Sequence, residues 1–483
     1  MLKCRYWFLV LGMATLVSAC TVGVFSGRVT VDQRPMIWKN RDVTNPDQAV
    51  RYFTDGRYPY LALVYAGETD CAWAGINQAG FAIMNSNSFN IGDGTETGIG
   101  DGQTMKLALQ TCATIADFRA LLDSLNLVGR TTPCNLGVMD ASGATAIFEA
   151  GAFTYFPWYT DSLADGYIVR ANFSLSADTA GQKSNNRYLR ASQLVANAVA
   201  RDELTSGWLL ENVARDLGQV DFDPYPLPFS GRVGSLPAGM LPATGTISRT
   251  STRSVVVITG PRPGEPVELS TMWTMLGEPS ISLALPLWVG SQTVPVGLVD
   301  RLTAELCDEA KRMKTYAYSD GNFPDAINSY RVAEIDRFMS STADEIYRET
   351  DDHLRAWAEQ APGPADFANV QQDLADIALT EYARFWQTHP VEEPQESTSS
   401  EFRIVTRPGE HILEAVFPGN TVTARLLVYD ATGRQVSSFN LSGCPVSGTR
   451  YFQWGADAMA SGLYFAALVA GDQRQTASFV YLR

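Results

Sequence analysis

The chain has 483 residues, 45% hydrophobic and 18% charged, with a formal net charge of −15. That length carries roughly two or three domains and a core large enough to stand without disulfide staples. The acidic balance excludes nucleic acid and anionic lipid as main partners, since both are held by basic surface. Past residue 20 no apolar run of about 18 residues or more offers a transmembrane span.

In chain order, the first element is a targeting segment. Lys3 and Arg5 give a positive start, Phe8 to Val17 an apolar stretch, and Val17-Ser18-Ala19 suits a cut immediately before Cys20. Residues 1–19 are read as a signal peptide, and the protein as exported to periplasm, cell surface or medium. A hairpin follows, with one strand over 20–27 and the other over 35–42. A strand is expected at 59–66. Two more, at 71–76 and 81–85, flank the turn Asn77-Gln78-Ala79-Gly80. Residues 104–125 have helical spacing, with Thr114 as N-cap of a second piece. A hairpin at 135–140 and 144–149 comes next, then strands at 153–159 and 166–171. Helices at 184–203 and 206–216 precede strands at 245–259 and 281–289. This order predicts α+β layers, with sheets packed face to face and helices outside. Residues 299–389 form a helical extension with apolar spacing through Leu302, Leu306, Ala310 and Met313. Its acidic stretch, 344–381, reads as a solvated face. Residues 390–400 are a polar linker. Residues 401–483, with short alternating strands and the turn Asp430-Ala431-Thr432-Gly433, suit a small β-sandwich. That module holds no clustered chemistry, so binding, spacing or export is its expected role.

The cysteines are Cys4, Cys20, Cys71, Cys112, Cys134, Cys307 and Cys444. Cys4 leaves with the signal, and the rest show no CxxC pair or zinc spacing. Cys112 and Cys134 are the one pairing weighed, against buried thiols as the plainer reading. The three histidines, His353, His389 and His411, all lie beyond residue 350. A thiol enzyme built from residues 20–290 therefore has no histidine base within that segment. A free α-amine, with a pKa of about 8, fills the gap: a cysteine at the first mature position carries nucleophile and base on adjacent carbons. The same Val17-Ser18-Ala19-Cys20 also reads as a lipobox, in which acylation of the Cys20 amine and thioether formation at its sulfur consume both groups.

Five motifs, in order, resemble the choloylglycine hydrolase and penicillin acylase group of cysteine N-terminal-nucleophile (Ntn) hydrolases, and the related acyl-transferases acting on 6-aminopenicillanic acid. They are Cys20-Thr21, Lys39-Asn40-Arg41-Asp42, the run from Gly75 through Asn77 and Gly80 to Asn87, Tyr167-Ile168-Val169-Arg170-Ala171-Asn172, and Ser184-Asn185-Asn186-Arg187. The resemblance implies a four-layer αββα sandwich over 20–298 and a linear amide as substrate. It implies Cys20 as nucleophile, Asp42 holding its amine, Asn87 and Asn172 as oxyanion donors, and Arg187 as the distal arginine. Lys39 stands where the family has arginine, keeping the charge and losing the bidentate fork. Arg41 is the alternative there, expected to point to the opposite face of its strand. The hairpin from Leu136 to Glu149 is read as structural, and Trp38, Phe89, Tyr155, Trp158 and Tyr159 first as core, second as an acyl pocket. No cofactor or metal is implied; the partner is a small-molecule amide, and the oligomeric state is open. Val428 to Arg434, Gly462 to Phe465 and the closing Tyr481-Leu482-Arg483 resemble FlgD-type Ig-like or sorting domains, which implies attachment at an outer membrane or cell surface. Rival readings are a dipeptidase of the same superfamily, sharing the Cys-Thr start, and a lipid-anchored binding protein without activity.

Overall fold

Strands β1 (Thr21–Phe25) and β2 (Met36–Asp42) form the expected antiparallel hairpin, with Thr21 opposite Asn40 and Phe25 opposite Met36. Every residue in both strands is buried. Both faces are thus covered, and neither strand shows the alternation of a half-solvated sheet. The computed structural model describes residues 19–180, 182, 185–299, 303–318, 322–389, 403–406, 412–421, 424–440, 446–453, 462–470 and 473–481. Residues 1–18 of the signal peptide, Ser184, Leu302, Cys444 and the 390–400 linker lie outside the described residues. The chain divides into two compact units between Thr388 and His389.

In the first unit the hairpin is followed by β3 (Gln48–Phe53), β4 (Tyr60–Tyr65), β5 (Ala74–Asn77) and β6 (Ala82–Asn87). Helices α1 (Asp101–Thr111) and α2 (Ile115–Val128) come next. Thr114 caps α2 as expected: its hydroxyl accepts the Asp117 amide, and the Asp117 carboxylate accepts the Thr114 amide. Then come β7 (Cys134–Met139), β8 (Thr145–Ala150), β9 (Tyr155–Tyr159), β10 (Tyr167–Arg170) and α3 (Asn185–Ala200). A short α4 (Ser206–Trp208) runs into a π-helical turn, Leu209–Ala214. The unit continues with β11 (Met240–Pro242), β12 (Thr252–Thr259), β13 (Thr271–Leu276) and β14 (Leu285–Leu287). It ends with α5 (Glu305–Ala317), β15 (Ala326–Asn328), α6 (Ser329–Glu359) and α7 (Pro364–Thr388). Strands β3, β11, β13 and β15 are not expected from the sequence, and β15 interrupts the stretch read as helical.

One antiparallel sheet has the order β10-β1-β2-β12-β13-β14; a second runs β3 to β9 in sequential order. Strands β1 and β2 pack on β6 and β7, while α1 lies on β5 and β6 and α3 on β10 and β1. The sheets meet closely at Gly137, where a Cβ would collide with Met84 and press on Val24. The turn at 77–80 also behaves as read. Asn77 Oδ1 accepts the Ala79 and Phe81 amides, and Gly80 takes φ +81°, where glycine escapes the Cβ penalty.

The helical stretch belongs to this same unit. Leu306, Ala310 and Met313 are buried, as their spacing requires. In α6 and α7 the carboxylates Asp344, Glu345, Asp351, Asp352 and Glu359 face solvent, while Leu354, Trp357 and Phe367 pack with Trp288 in a small aromatic core. Glu381 departs from the solvated-face reading: it is buried and takes a hydrogen bond from Arg384.

Among its described residues the second unit holds strands and turns and no helix. Strands β16 (Arg403–Thr406), β17 (Ile412–Thr421) and β20 (Val446–Gln453) form one antiparallel sheet. Strands β18 (Ala424–Asp430), β19 (Gln435–Asn440), β21 (Gly462–Ala470) and β22 (Gln473–Tyr481) form the other, in the order β19-β18-β21-β22. The β18–β19 turn is an Asx turn: Asp430 Oδ1 accepts the Thr432 and Arg434 amides, and Gly433 takes φ +84°.

Candidate active site

Cys20 stands at the head of β1, 4% exposed. Extending the β1–β2 register by one residue sets it opposite Arg41, on the face shared by Val22 and Lys39. Thr21 lies on the other face, with Asn40 and Asp42. The site is therefore built from both sides of one hairpin.

On the helix side, Arg187 from the first turn of α3 is the hub. Its Nη1 donates to the Cys20 carbonyl and to Thr21 Oγ1, both at 2.7 Å. Its Nη2 donates to Asn172 Oδ1 at 2.7 Å, and Nη1 lies 3.9 Å from Asp42 Oδ2. Burial, then the nearby Arg249 cation, push the Arg187 guanidinium down to about 10; Asp42 and Cys20 act the other way, and it stays charged at neutral pH.

Asp42, its side chain fully buried, holds the end of β2. Thr252 Oγ1 donates to Oδ1 at 2.6 Å and Arg249 Nε to Oδ2 at 2.9 Å. Arg249 Nη2 also donates to the Ala19 carbonyl at 3.2 Å, and the Ala19 amide to the Asp42 carbonyl at 3.1 Å. Ala19 is thus held through both its amide and its carbonyl, the latter being the carbonyl of the peptide that joins it to Cys20. Arg249 was not singled out from the sequence. It lies in an irregular loop with no motif around it, and its partner is 207 residues away.

Asn172 follows β10, with its amide orientation fixed by its partners. Arg187 can only donate, so the atom it meets is the oxygen; Nδ2 then donates to the Asn87 carbonyl at 3.0 Å. One N–H of Nδ2 is left beyond that bond. The loop carrying Asn172 is anchored by a buried polar network the sequence reading did not include. Asn135 Nδ2 donates to Ser86 Oγ and to the Ala171 and Phe173 carbonyls, while Ser174 Oγ donates to Asn135 Oδ1. Asn87 is tied to Asn172 through its main-chain carbonyl and is only half-buried.

On the side facing the second sheet, Lys39 is buried, donating from Nζ to the Trp73 carbonyl at 2.8 Å and to Asn85 Oδ1 at 2.5 Å. Asn85 Nδ2 passes the chain to Asp101 Oδ2 at 2.8 Å. Burial pushes the ammonium down to about 8; Cys20 is the largest influence raising it, ahead of Asp101, and Arg41 lowers it. Arg41 corrects an expectation. Residues two apart on a strand share a face, so it lies on the side of Lys39 rather than opposite. Its guanidinium stacks over Tyr65 and Trp73, 4.3 and 4.6 Å from the ring centroids, and donates to Gln48 Oε1.

The remaining expectations sort quickly. Cys112 and Cys134 are free thiols, as are Cys20, Cys71 and Cys307. Burial pushes Cys71 up to about 12, Cys112 and Cys307 up to about 11, and Cys134 higher still, so these four stay protonated near neutrality. Among the aromatics, Trp38 is core, donating to Asn40 Oδ1, and Tyr155 is tied to Asp123. In the Leu136–Glu149 hairpin, Asp140 accepts the Ile115 amide, a structural bond. Among the described residues no group of three or more His, Cys, Asp or Glu is placed to hold a metal ion, and no helix is long and apolar enough to cross a membrane.

No family model matches the sequence, and no curated protein matches it. Solved structures similar to the chain include two variants of conjugated bile acid hydrolase from Clostridium perfringens, each 12% identical with a TM-score of 0.36, over 56% of this chain and 92% of theirs. Penicillin V acylase from Agrobacterium tumefaciens is 16% identical with a TM-score of 0.34, over 56% of this chain and 86% of its own.

Proposed function

We propose that this protein is an exported Ntn hydrolase that cleaves a linear amide through Cys20, made N-terminal by a cut after Ala19. One observation carries the reading. Cys20, Thr21, Asn172 and Arg187, all members of the sequence motifs, are joined by a single guanidinium that also lies beside Asp42. The accompanying fold reading is an αββα sandwich over 20–298, with the second unit a β-sandwich for surface attachment or sorting.

In the full chain the Cys20 nitrogen is a peptide nitrogen; after the cut it is an amine of ordinary pKa about 8. The amine takes the thiol proton, and the thiolate attacks the amide carbonyl carbon. The carbonyl electrons move to oxygen, where the spare Asn172 N–H and Asn87 stabilise the charge; one such donor is typically worth about 10²–10³ in rate. Collapse breaks the C–N bond, and the leaving amine takes the proton held on the Cys20 ammonium. Water then attacks the thioester, giving its proton to the Cys20 amine, and the carboxylic acid departs as the thiol reforms. An amine in place of water makes the reaction an acyl transfer. Asp42 orients the amine, Arg187 fixes the Cys20 main chain and the Asn172 amide, and the Lys39 ammonium favours the thiolate.

The test is a panel of acyl-amino acids, penicillin V, bile salts and dipeptides offered to the mature protein. Cleavage of one class, lost in Cys20→Ser with the fold intact, supports the reading. A fully active Cys20→Ala protein sinks it. Cleavage confined to dipeptides assigns the peptidase branch.

A further inference from the structure

We infer that helix α5 is a clamp on the site, with Lys314 as the positioning residue that sets the turn carrying Arg249 and, through it, the Asp42 carboxylate. The inference rests on the reading of Cys20 and Asp42 given above.

Cys307, Lys311 and Lys314 are spaced i, i+4 and i+7, so they share one face of α5. That face meets both loops that build the Asp42 end of the site. Towards the loop after β2, Cys307 Sγ donates to the Pro46 carbonyl at 3.2 Å and accepts the Gln48 amide at 3.4 Å. Lys311 Nζ reaches Asp47 Oδ1 at 2.6 Å. Towards the loop before β12, Lys314 Nζ donates at 2.6 Å to the carbonyl of Thr250, the residue after Arg249. The same ammonium pairs at 2.6 Å with Glu278, a buried carboxylate that also accepts Tyr318 Oη at 2.8 Å. The two gripped loops are bonded to each other through the Val43 amide to the Ser251 carbonyl at 2.9 Å, and through Thr252 and Arg249 to Asp42. A half-buried ammonium on the carbonyl next to Arg249 therefore fixes the pitch of the turn from which Arg249 reaches Asp42. Burial works against the Lys314 charge and Glu278 supports it, so the contact depends on the pair. This gives a role in the site to the helical extension.

Two readouts on full-length and mature protein test this. Hydrogen exchange at the Val43, Thr250 and Thr252 amides should speed by about tenfold or more in Lys314→Met, and return towards native in Lys314→Arg. The β7–β8 hairpin should stay unchanged. Unchanged exchange at those three amides overturns the clamp. The second readout is the pH midpoint of Cys20 alkylation by iodoacetamide. Loosening Arg249 removes a cation from beside Asp42, so the midpoint should rise in Lys314→Met and recover in Lys314→Arg. Loosened amides with an unmoved midpoint overturn the positioning role. Should Lys314→Met fail to fold, Tyr318→Phe, which removes one bond to Glu278, is read by the same exchange assay. A native protein whose Cys20 cannot be alkylated because its sulfur is already a diacylglycerol thioether refutes the functional reading, while exchange still decides the clamp.

Discussion

Asp42→Asn separates the electrostatics of the site from its shape. The substitution keeps the volume and an acceptor for Thr252 Oγ1, and removes one negative charge. Arg249 at 2.9 Å and Arg187 at 3.9 Å are then left with their anion gone. The legs from Cys20 oxygen to Arg187 at 2.7 Å and on to Asp42 at 3.9 Å place the carboxylate within about 7 Å of the Cys20 main chain. At that range, with an effective dielectric of about 20, a unit charge is worth about 2 kcal/mol, or about 1.5 pH units. Removing an anion eases ionisation of the thiol and of the ammonium alike, so both midpoints should fall. The assay is the rate of Cys20 alkylation by iodoacetamide against pH on the mature protein, read by mass of the N-terminal peptide. The expected result is a lower midpoint together with loss of amide hydrolysis, since the amine has lost its orienting partner. A midpoint that stays put or rises refutes the placement of Asp42 beside the nucleophile.

Lys39→Met should raise the same midpoint, because the ammonium facing Cys20 favours the thiolate. The native lysine carries its charge below about 8, so hydrolysis should decline as pH rises through that value, and Lys39→Arg should hold activity further into alkali. The linkage has a definite sign: the unfolded chain keeps the Lys39 proton to about 10.4, the folded one only to about 8, so this group adds stability as pH rises across that window. Denaturation midpoints from pH 8 to 10 should lose that rise in Lys39→Met. Asn172→Asp keeps the acceptor for Arg187 and loses the donor; kcat should fall by about 10²–10³ with KM little changed, and an unaltered kcat would remove Asn172 from the oxyanion role.

Much of this arrangement could be read from the chain because its signals are local. The turn at Asn77–Gly80, the Thr114 cap and the β1–β2 hairpin each announce themselves within a few residues. Strand β13 did not: Thr-Met-Trp-Thr-Met-Leu is buried throughout, so its pattern has no polar face to alternate with. Strand β3 follows an Asn-Pro-Asp turn and reads as loop until β4 pairs with it. Arg187 was found because it opens a helix in a recognised motif order. Arg249 and Asn135 were not, because what defines them is a partner in a distant segment. Arg41 follows the strand period of two: it shares the face of Lys39 rather than the opposite one.

The account stands or falls on the chemical state of Cys20 in the mature protein, and the mass of its N-terminal peptide measures that directly. The mass predicted is that of a chain beginning at Cys20 with both amine and thiol unmodified. A diacylglycerol thioether with an acylated amine, or a chain whose Cys20 nitrogen is still within a peptide bond, would contradict it.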